Sequence, residues 1–392
     1  MSRQFDVIVI GAGMMGSAAA RHLAESGACV AIVGPGEPTD RASHKGPFAS
    51  HHDETRITRR LDQNADWSRL SARSIARYRA LEEATGIGFF HEAGAIMAVA
   101  PGHLDKGRAG RVARVNDEEE IGAVGIPGSG DAARFPFLVF PDDTQVLFEP
   151  AKAGVINPRA HVRAQLVAAE KAGAVRFDLA AEAVRDVSGG VEVRLTDGSM
   201  LGGAAALVAC GGYTRDPGLL PKAVDLKVLA RTIALIEIDA AEARRLASMP
   251  SIIYFPRGRD DDLYILPPAV YPDGRTYLKI GGDPIDREVR TAEALNAWFR
   301  TSGDVETGAG LVRELHKLIP GLRAGAIRFS ACATTYTRSG MPLIFRQSEA
   351  ITVLTGGNGA GAKNADEVGR LGARLVLEGT ITDEGYECDF GP

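Results

Sequence analysis

An α/β chain of two domains is what this sequence predicts, on three observations. The apolar run Phe5-Asp6-Val7-Ile8-Val9-Ile10 leads straight into Gly11-Ala12-Gly13-Met14-Met15-Gly16 and a helical stretch with Ala18-Ala19-Ala20. A second run of that kind, Ala350-Ile351-Thr352-Val353-Leu354, leads into Gly356-Gly357-Asn358-Gly359-Ala360-Gly361-Ala362-Lys363 and another helix. At 392 residues the chain is long enough for two cores.

The first glycine turn makes a pocket for a pyrophosphate. Gly11 permits the tight turn, Gly13 lets backbone approach phosphates, and Gly16 with Ala20 lets helix and strand pack closely. The helix N-terminus offers unpaired N–H groups and partial positive charge to the anion. Gly11, Ala12, Gly13, Met14, Met15 and Gly16 are therefore expected to hold a dinucleotide. The second strand, Cys29-Val30-Ala31-Ile32-Val33, should end in an acidic residue for the ribose hydroxyls. Gly34-Pro35-Gly36 stands there instead, and Glu37 is the nearest carboxylate. Either Glu37 reaches back, or the ribose is held through backbone and water.

Asn64 caps a helix whose stripe Trp67, Leu70, Ser74, Tyr78, Leu81 ends at Gly86. A strand follows around Gly94–Val99. Asn157-Pro158 opens a further helix, as cap and first-turn proline, running to about Gly173. Residues 174–177 and the alternating Val191–Leu195 read as strands, and 205–213 as a buried strand ending in Gly211-Gly212-Tyr213. Residues 222–328 read as strands with two helices, around 292–300 and 310–318. The last helix is expected to be capped by Asn364, to bury Val368, Leu371 and Leu375, and to close at Gly379.

A net charge of −5 argues against nucleic acid as a partner. Arg69, Arg73, Arg77 and Arg79, and the arginines from Arg108 to Arg114, are expected on solvated faces. The first strand begins too early for a secretory signal, and no apolar run is long enough to span a bilayer. Cys29, Cys210, Cys332 and Cys388 lack metal-type pairing, so a reducing, cytoplasmic setting is the expectation. His51-His52-Asp53 are adjacent in sequence and rarely converge on one ion; no metal is expected.

Five stretches in order carry a family resemblance. Ser50-His51-His52-Asp53-Glu54-Thr55-Arg56-Ile57-Thr58-Arg59 resembles Ser-His-His-Gly-Asp-Thr-Arg-Ile-Ile-Arg. Tyr264-Ile265-Leu266-Pro267 resembles Tyr-Gly-Phe-Pro, and Leu278-Lys279-Ile280-Gly281 resembles Leu-Lys-Leu-Gly. Ala331-Cys332 resembles a Val-Cys, and Gly359-Ala360-Gly361-Ala362-Lys363 resembles Gly-His-Gly-Phe-Lys. These are segments of the monomeric sarcosine oxidase and N-methyl amino acid oxidase family, within the D-amino-acid-oxidase-like (DAO) flavoenzymes. The resemblance implies a Rossmann-like FAD-binding domain and a mixed-sheet substrate domain, in the DAO/glutathione-reductase type of fold. The FAD domain is expected to be discontinuous (1–48, 150–218 and 325–392), with 49–149 and 219–324 forming the substrate domain.

The resemblance also implies roles. Arg59, a planar fork of donors, and Lys363, a point charge, would hold a substrate carboxylate; read from the residues alone, Arg59 is a surface ion pair with its acidic neighbours. Arg56 and His52 match positions near the flavin ring, where positive charge favours its anionic reduced form and a flavin–thiolate link. For His52 a structural imidazole is the other reading. Lys279 would stand by the reactive face and stabilise superoxide as oxygen takes electrons; an isolated lysine would instead snorkel from a strand edge. Cys332, otherwise a buried core thiol, would carry the flavin covalently. Ser50, His51, Thr55, Cys210, Gly211, Gly359 and Gly361 complete the expected FAD contacts with Gly34 and Glu37, and Tyr264 shapes the pocket.

Three departures touch the pocket, two of them in its chemistry: Thr334 replaces an aromatic residue, and Asp283 replaces a histidine four residues after the lysine. They suggest a substrate bulkier or more cationic than sarcosine. The stretch from Pro267 to Lys279 is also longer than the family's. The expectation is an FAD-dependent oxidase of a secondary amine or N-methyl amino acid, a monomer, with oxygen as acceptor and hydrogen peroxide and a hydrolysable imine as products. The rivals are an amino-acid or 2-hydroxy-acid dehydrogenase, the flavin subunit of a hetero-oligomer and, last, an NAD-binding sensor.

Overall fold

A computed structural model describes residues 4–126, 134–259 and 261–392. The first apolar run forms the strand Gln4–Ile10, with Val30–Val33 parallel on one side and Met200–Val208 parallel on the other. Val175–Phe177 extends the sheet beyond Val30–Val33, and Ile351–Thr355 lies parallel to Met200–Val208. The antiparallel strands Ala181–Val187, Gly190–Leu195 and Leu343–Arg346 complete eight. The parallel strands are continuous apolar runs because both their faces are covered.

One face carries the helices Met14–Glu25, Pro158–Lys171 and Gly361–Glu378, which bury Val7, Val9, Ile32, Leu207 and Leu354. The opposite face packs Ile8, Ile10, Val33 and Val208 against Leu219, Val228, Leu295 and Phe299. The first and last helices cross closely: a Cβ on Gly369 would lie 2.6 Å from the Ala18 Cβ.

The second sheet has nine strands and is mixed. Lys227–Glu237, Thr276–Gly281, Leu263–Val270 and Ser251–Phe255 run antiparallel in turn, and Ala95–Val99 joins parallel to Ser251–Phe255. Its outer face is dry core under the helix Val305–Leu318, including Ile236, Leu278, Ile280, Ile265 and Ile96. With side chains alternating along a strand, Lys279 between Leu278 and Ile280 must point to the other face, as must Tyr264 beside Ile265. A small sheet, Arg56–Thr58, Gly154–Ile156 and Phe90–His91, presents the Arg56 segment to that face. Among the described residues no helix is long and apolar enough to cross a membrane.

Several expectations need correction. Ile327–Tyr336, assigned to the FAD segments, pairs along its whole length with Lys227–Glu237 in the second sheet. The helix Ala65–Thr85, assigned to the substrate segments, places Trp67 and Leu70 in the core of the first sheet's helical layer. Asn64 and Gly86 do cap it. The last helix starts at Gly361, so Asn364 lies inside it; its side chain accepts from Ser71 Oγ at 2.7 Å and donates to the Ala360 carbonyl. Arg79 is exposed as expected, but Arg77 binds Asp366 and Glu367, which fastens Ala65–Thr85 to the last helix, and Arg73 reaches Glu384 just beyond that helix. Arg108, in the second set, lies over the Phe255 ring at 4.2 Å. The short helix Ala240–Arg245 carries no signal long enough to be read in advance.

Candidate active site

The two sheets enclose a cavity of about 1090 Å³ that runs from the first glycine turn to Cys332 and Lys363. Gly11 has φ +108°, and a Cβ there would lie 2.4 Å from the Ala209 carbonyl oxygen; a side chain would close the turn. The helix Met14–Glu25 starts after Gly13 with no side-chain cap, so its first N–H groups face the cavity mouth. Position 34 has no room for an acid: a Cβ would meet Ala12 N at 2.5 Å. Glu37 does not reach back, because Arg159 grips both its oxygens at 2.6 Å. A cradle of glycines, an open helix N-terminus and a long cavity fit a flavin dinucleotide. Of the residues expected to contact it, Gly16, Glu37 and Thr55 do not line the cavity; Gly16 packs against Gly11.

The catalytic candidates converge. Lys279 is 1% exposed and is not itself part of the cavity wall. Its Nζ donates to Asp53 Oδ2 at 2.5 Å and to the Thr55 carbonyl at 2.9 Å, and it lies 5.7 Å from the centre of the Tyr264 ring. That ring lies across Gly281, where a Cβ would come within 2.2 Å of it. Arg56 also binds Asp53, and its Nη2 donates to Ser50 O at 2.8 Å and lies 3.9 Å from Cys332 Sγ. The extended 267–279 hairpin brings Tyr271, whose hydroxyl donates to Asp53 Oδ1 at 2.9 Å. Burial opposes charge on Asp53, but Arg56 and Lys279 outweigh it and hold the carboxyl well below its usual range. Burial, then Arg56, bring the Lys279 ammonium down to about 8 against the pull of Asp53.

A second centre forms around Arg59 and Lys363, which is 3% exposed in the first turn of the last helix. Both donate to Asp62 Oδ2, at 3.1 and 2.9 Å. Arg59 is therefore an ion pair, but a buried one that lines the cavity. Glu149, fully buried, accepts the N–H groups of Arg60 and Leu61 and so fixes the segment. Burial lowers Lys363 to about 8; Asp62 is held at about 2, with Lys363 and Arg59 outweighing its burial.

The remaining candidates divide. His51 and His52 line the cavity and both are lowered chiefly by burial, His52 to about 4. Neither is a cation at neutral pH, so the positive charge expected there comes from Arg56. Asp283 lines the cavity, yet its oxygens accept the N–H groups of Thr232 and Ile285 at 2.9 Å, which is a turn-forming role. Thr334 also lines it, with its hydroxyl buried and unpartnered among the described residues. Cys210 Sγ donates to the Ile10 carbonyl beside the glycine turn.

Asp53, Asp62 and Tyr271 were missed as site residues. Asp53 had a signal: it stands where the family segment has glycine, directly before the arginines. Asp62 had one as well, three residues after Arg59 among its acidic neighbours, and Tyr271 lies in the stretch that is longer than the family's.

The profile of the family described as DAO, FAD dependent oxidoreductase, matches residues 6–375. Monomeric sarcosine oxidase of Bacillus sp. (strain B-0618) is 25% identical over 390 residues, which cover 97% of this chain and 94% of that one. N-methyl-L-tryptophan oxidase of Yersinia pestis (strain Pestoides F) is 23% identical over 378 residues, 95% of each chain. Among solved structures, a variant of NikD, an unusual amino acid oxidase essential for nikkomycin biosynthesis, is similar with a TM-score of 0.78 and 20% identity. That similarity covers 100% of this chain and 98% of the other.

Proposed function

We propose that this chain, which belongs to the DAO family of FAD-dependent oxidoreductases, oxidises the C–N bond of a secondary amine or N-methyl amino acid, passing electrons to oxygen. Hydrogen peroxide and an imine that water hydrolyses would be the products. The observation that carries this reading is the convergence of Arg56 and Cys332 on the wall of the cavity that the glycine turn also lines, with Lys279 behind that wall on the shared Asp53.

Gly11, Gly13 and the open helix N-terminus would hold the pyrophosphate, and Gly359 and Gly361 would line the opposite wall. FAD supplies the acceptor for a hydride equivalent from the amine. Arg56 holds positive charge beside it, and Tyr264 bounds the space for substrate. Lys279, kept protonated by Asp53, stabilises negative charge as oxygen is reduced. Because the acting form is the ammonium, the oxygen step is expected to fall as pH rises through about 8, by about tenfold per further unit. Stopped-flow reoxidation across pH 6–10 reads this, and a flat profile rejects the role.

Cys332 would carry FAD through Sγ, which lies 3.9 Å from Arg56 Nη2 on the cavity wall. The expected result is yellow acid-precipitated protein in the wild type and colourless precipitate with free flavin in Cys332→Ser. Acid-extractable flavin in the wild type ends the covalent assignment. A dehydrogenase is the second reading, and one observation favours it: the Lys279 ammonium is already paired and lies off the cavity wall. Amine-dependent peroxide formation under air, by the purified chain, decides for the oxidase.

A further inference from the structure

We infer that Asp62 is a built-in occupant of the anion place between Arg59 and Lys363, so that the preferred substrate is an apolar secondary amine with no carboxylate next to its nitrogen. This rests on the amine-oxidising reading above and deepens it.

Asp62 is no passing contact. Its Oδ2 takes both cations, while its Oδ1 accepts the N–H groups of Gln63 and Asn64 at 2.8 and 3.3 Å, just ahead of the helix Ala65–Thr85. Arg59 Nη1 is further committed to the Leu61 carbonyl, while its buried Nε has no hydrogen-bond partner among the described residues. A substrate carboxylate would have to evict a carboxylate held at both oxygens, or settle beside it at like charge.

The other cations at this end are compensated in the same way. Arg56 and Lys279 share Asp53, and Arg108 pairs with Asp105. Asp262 lines the same cavity near Arg59 and Arg108 with no ion-pair partner among the described residues, and burial pushes its carboxyl up against their pull. Such a place attracts a free carboxylate far less than two bare cations would. Beyond the charges, Met97, Val112, Ile253, Phe255 and Leu266 supply an apolar wall. An N-methyl group on an aralkyl amine suits that wall; a zwitterionic amino acid brings a negative charge already provided.

The test compares matched pairs on the FAD-loaded chain without oxygen: N-methylphenethylamine against N-methylphenylalanine, followed by bleaching of the flavin band. The amine is expected to reduce the enzyme at least about tenfold more efficiently. Equal or faster reduction by the amino acid overturns this inference and leaves the amine-oxidising reading intact. If neither compound nor any of a panel of secondary amines bleaches the flavin, both fall. A readout without turnover is calorimetric titration with benzoate. Asp62→Asn, nearly the same shape, is expected to bind it at least about tenfold more tightly than the wild type. An unchanged affinity in the folded variant counts against the inference. Should the variant not fold, the wild-type pair decides alone.

Discussion

Lys279→Met is expected to slow the reaction of the reduced enzyme with oxygen by about 10²- to 10³-fold, the usual cost of removing one fixed electrostatic partner of a developing anion. Anaerobic reduction by the amine should change by no more than a few-fold. The first electron given to oxygen creates an anion, and an ammonium in a dry site interacts with it far more strongly than one in water. Methionine keeps the length and apolar stem of the lysine, so the packing beside Tyr264 and Leu235 is retained. Asp53 keeps Arg56 and the Tyr271 hydroxyl as partners. Rapid mixing of amine-reduced protein with oxygenated buffer measures the step directly. An unchanged rate would move the acceptor away from oxygen and favour the dehydrogenase.

The second large effect is on stability. Asp53→Ala should destabilise the fold by about 3–5 kcal/mol, the range for removing one partner of a buried pair, out of a total of about 5–15 kcal/mol. The loss strands the buried Lys279 ammonium and the half-buried Arg56, together with the Tyr271 hydroxyl. Urea unfolding gives the number, and Asp53→Asn, which retains an acceptor, should lose less. The pH dependence follows the same sign. The folded-state carboxyls of Asp53 and Asp62 lie below their unfolded values. Their stabilisation is therefore complete above about pH 4 and is lost as pH falls through the folded values, about 2 for Asp62. A wild type whose stability is flat from pH 5 to 2 would contradict these pairings.

Much of the fold was legible because its signals are local. A strand, a glycine turn and a helix are contiguous, and Asn64, Asn157, Gly86 and Gly379 mark helix ends by their own chemistry. Where two local rules competed, reading failed: Asn364 has the composition of a cap, but burial against Ser71 drew it into the helix. Arg73 and Arg77 have the spacing of a wet helix face; Arg77 meets the last helix some 290 positions away and Arg73 meets Glu384 beyond it, which no periodicity connects to theirs. The site divides in the same way. Arg56, Arg59, Lys279, Cys332 and Lys363 were found through motifs; Asp53 and Asp62 were legible as neighbours of the arginines but not as partners of the two lysines. Asp53 and Lys279 are separated by 226 positions, and Asp62 and Lys363 by 301. Only the folded chain brings those charges together.

The central strand of the first sheet has neighbours from residues 30–33 and 200–208, and the sheet continues to 351–355. On the ribosome, then, the glycine turn emerges early and stays half-built while several hundred further residues are made. Lys363 and the helix that seats it are made only several hundred residues after that turn. Cofactor capture is thus expected only once that helix has emerged, and nascent chains stalled before it should bind no flavin. The exposed apolar edge of the waiting strand would make this interval the one in which chaperones matter most.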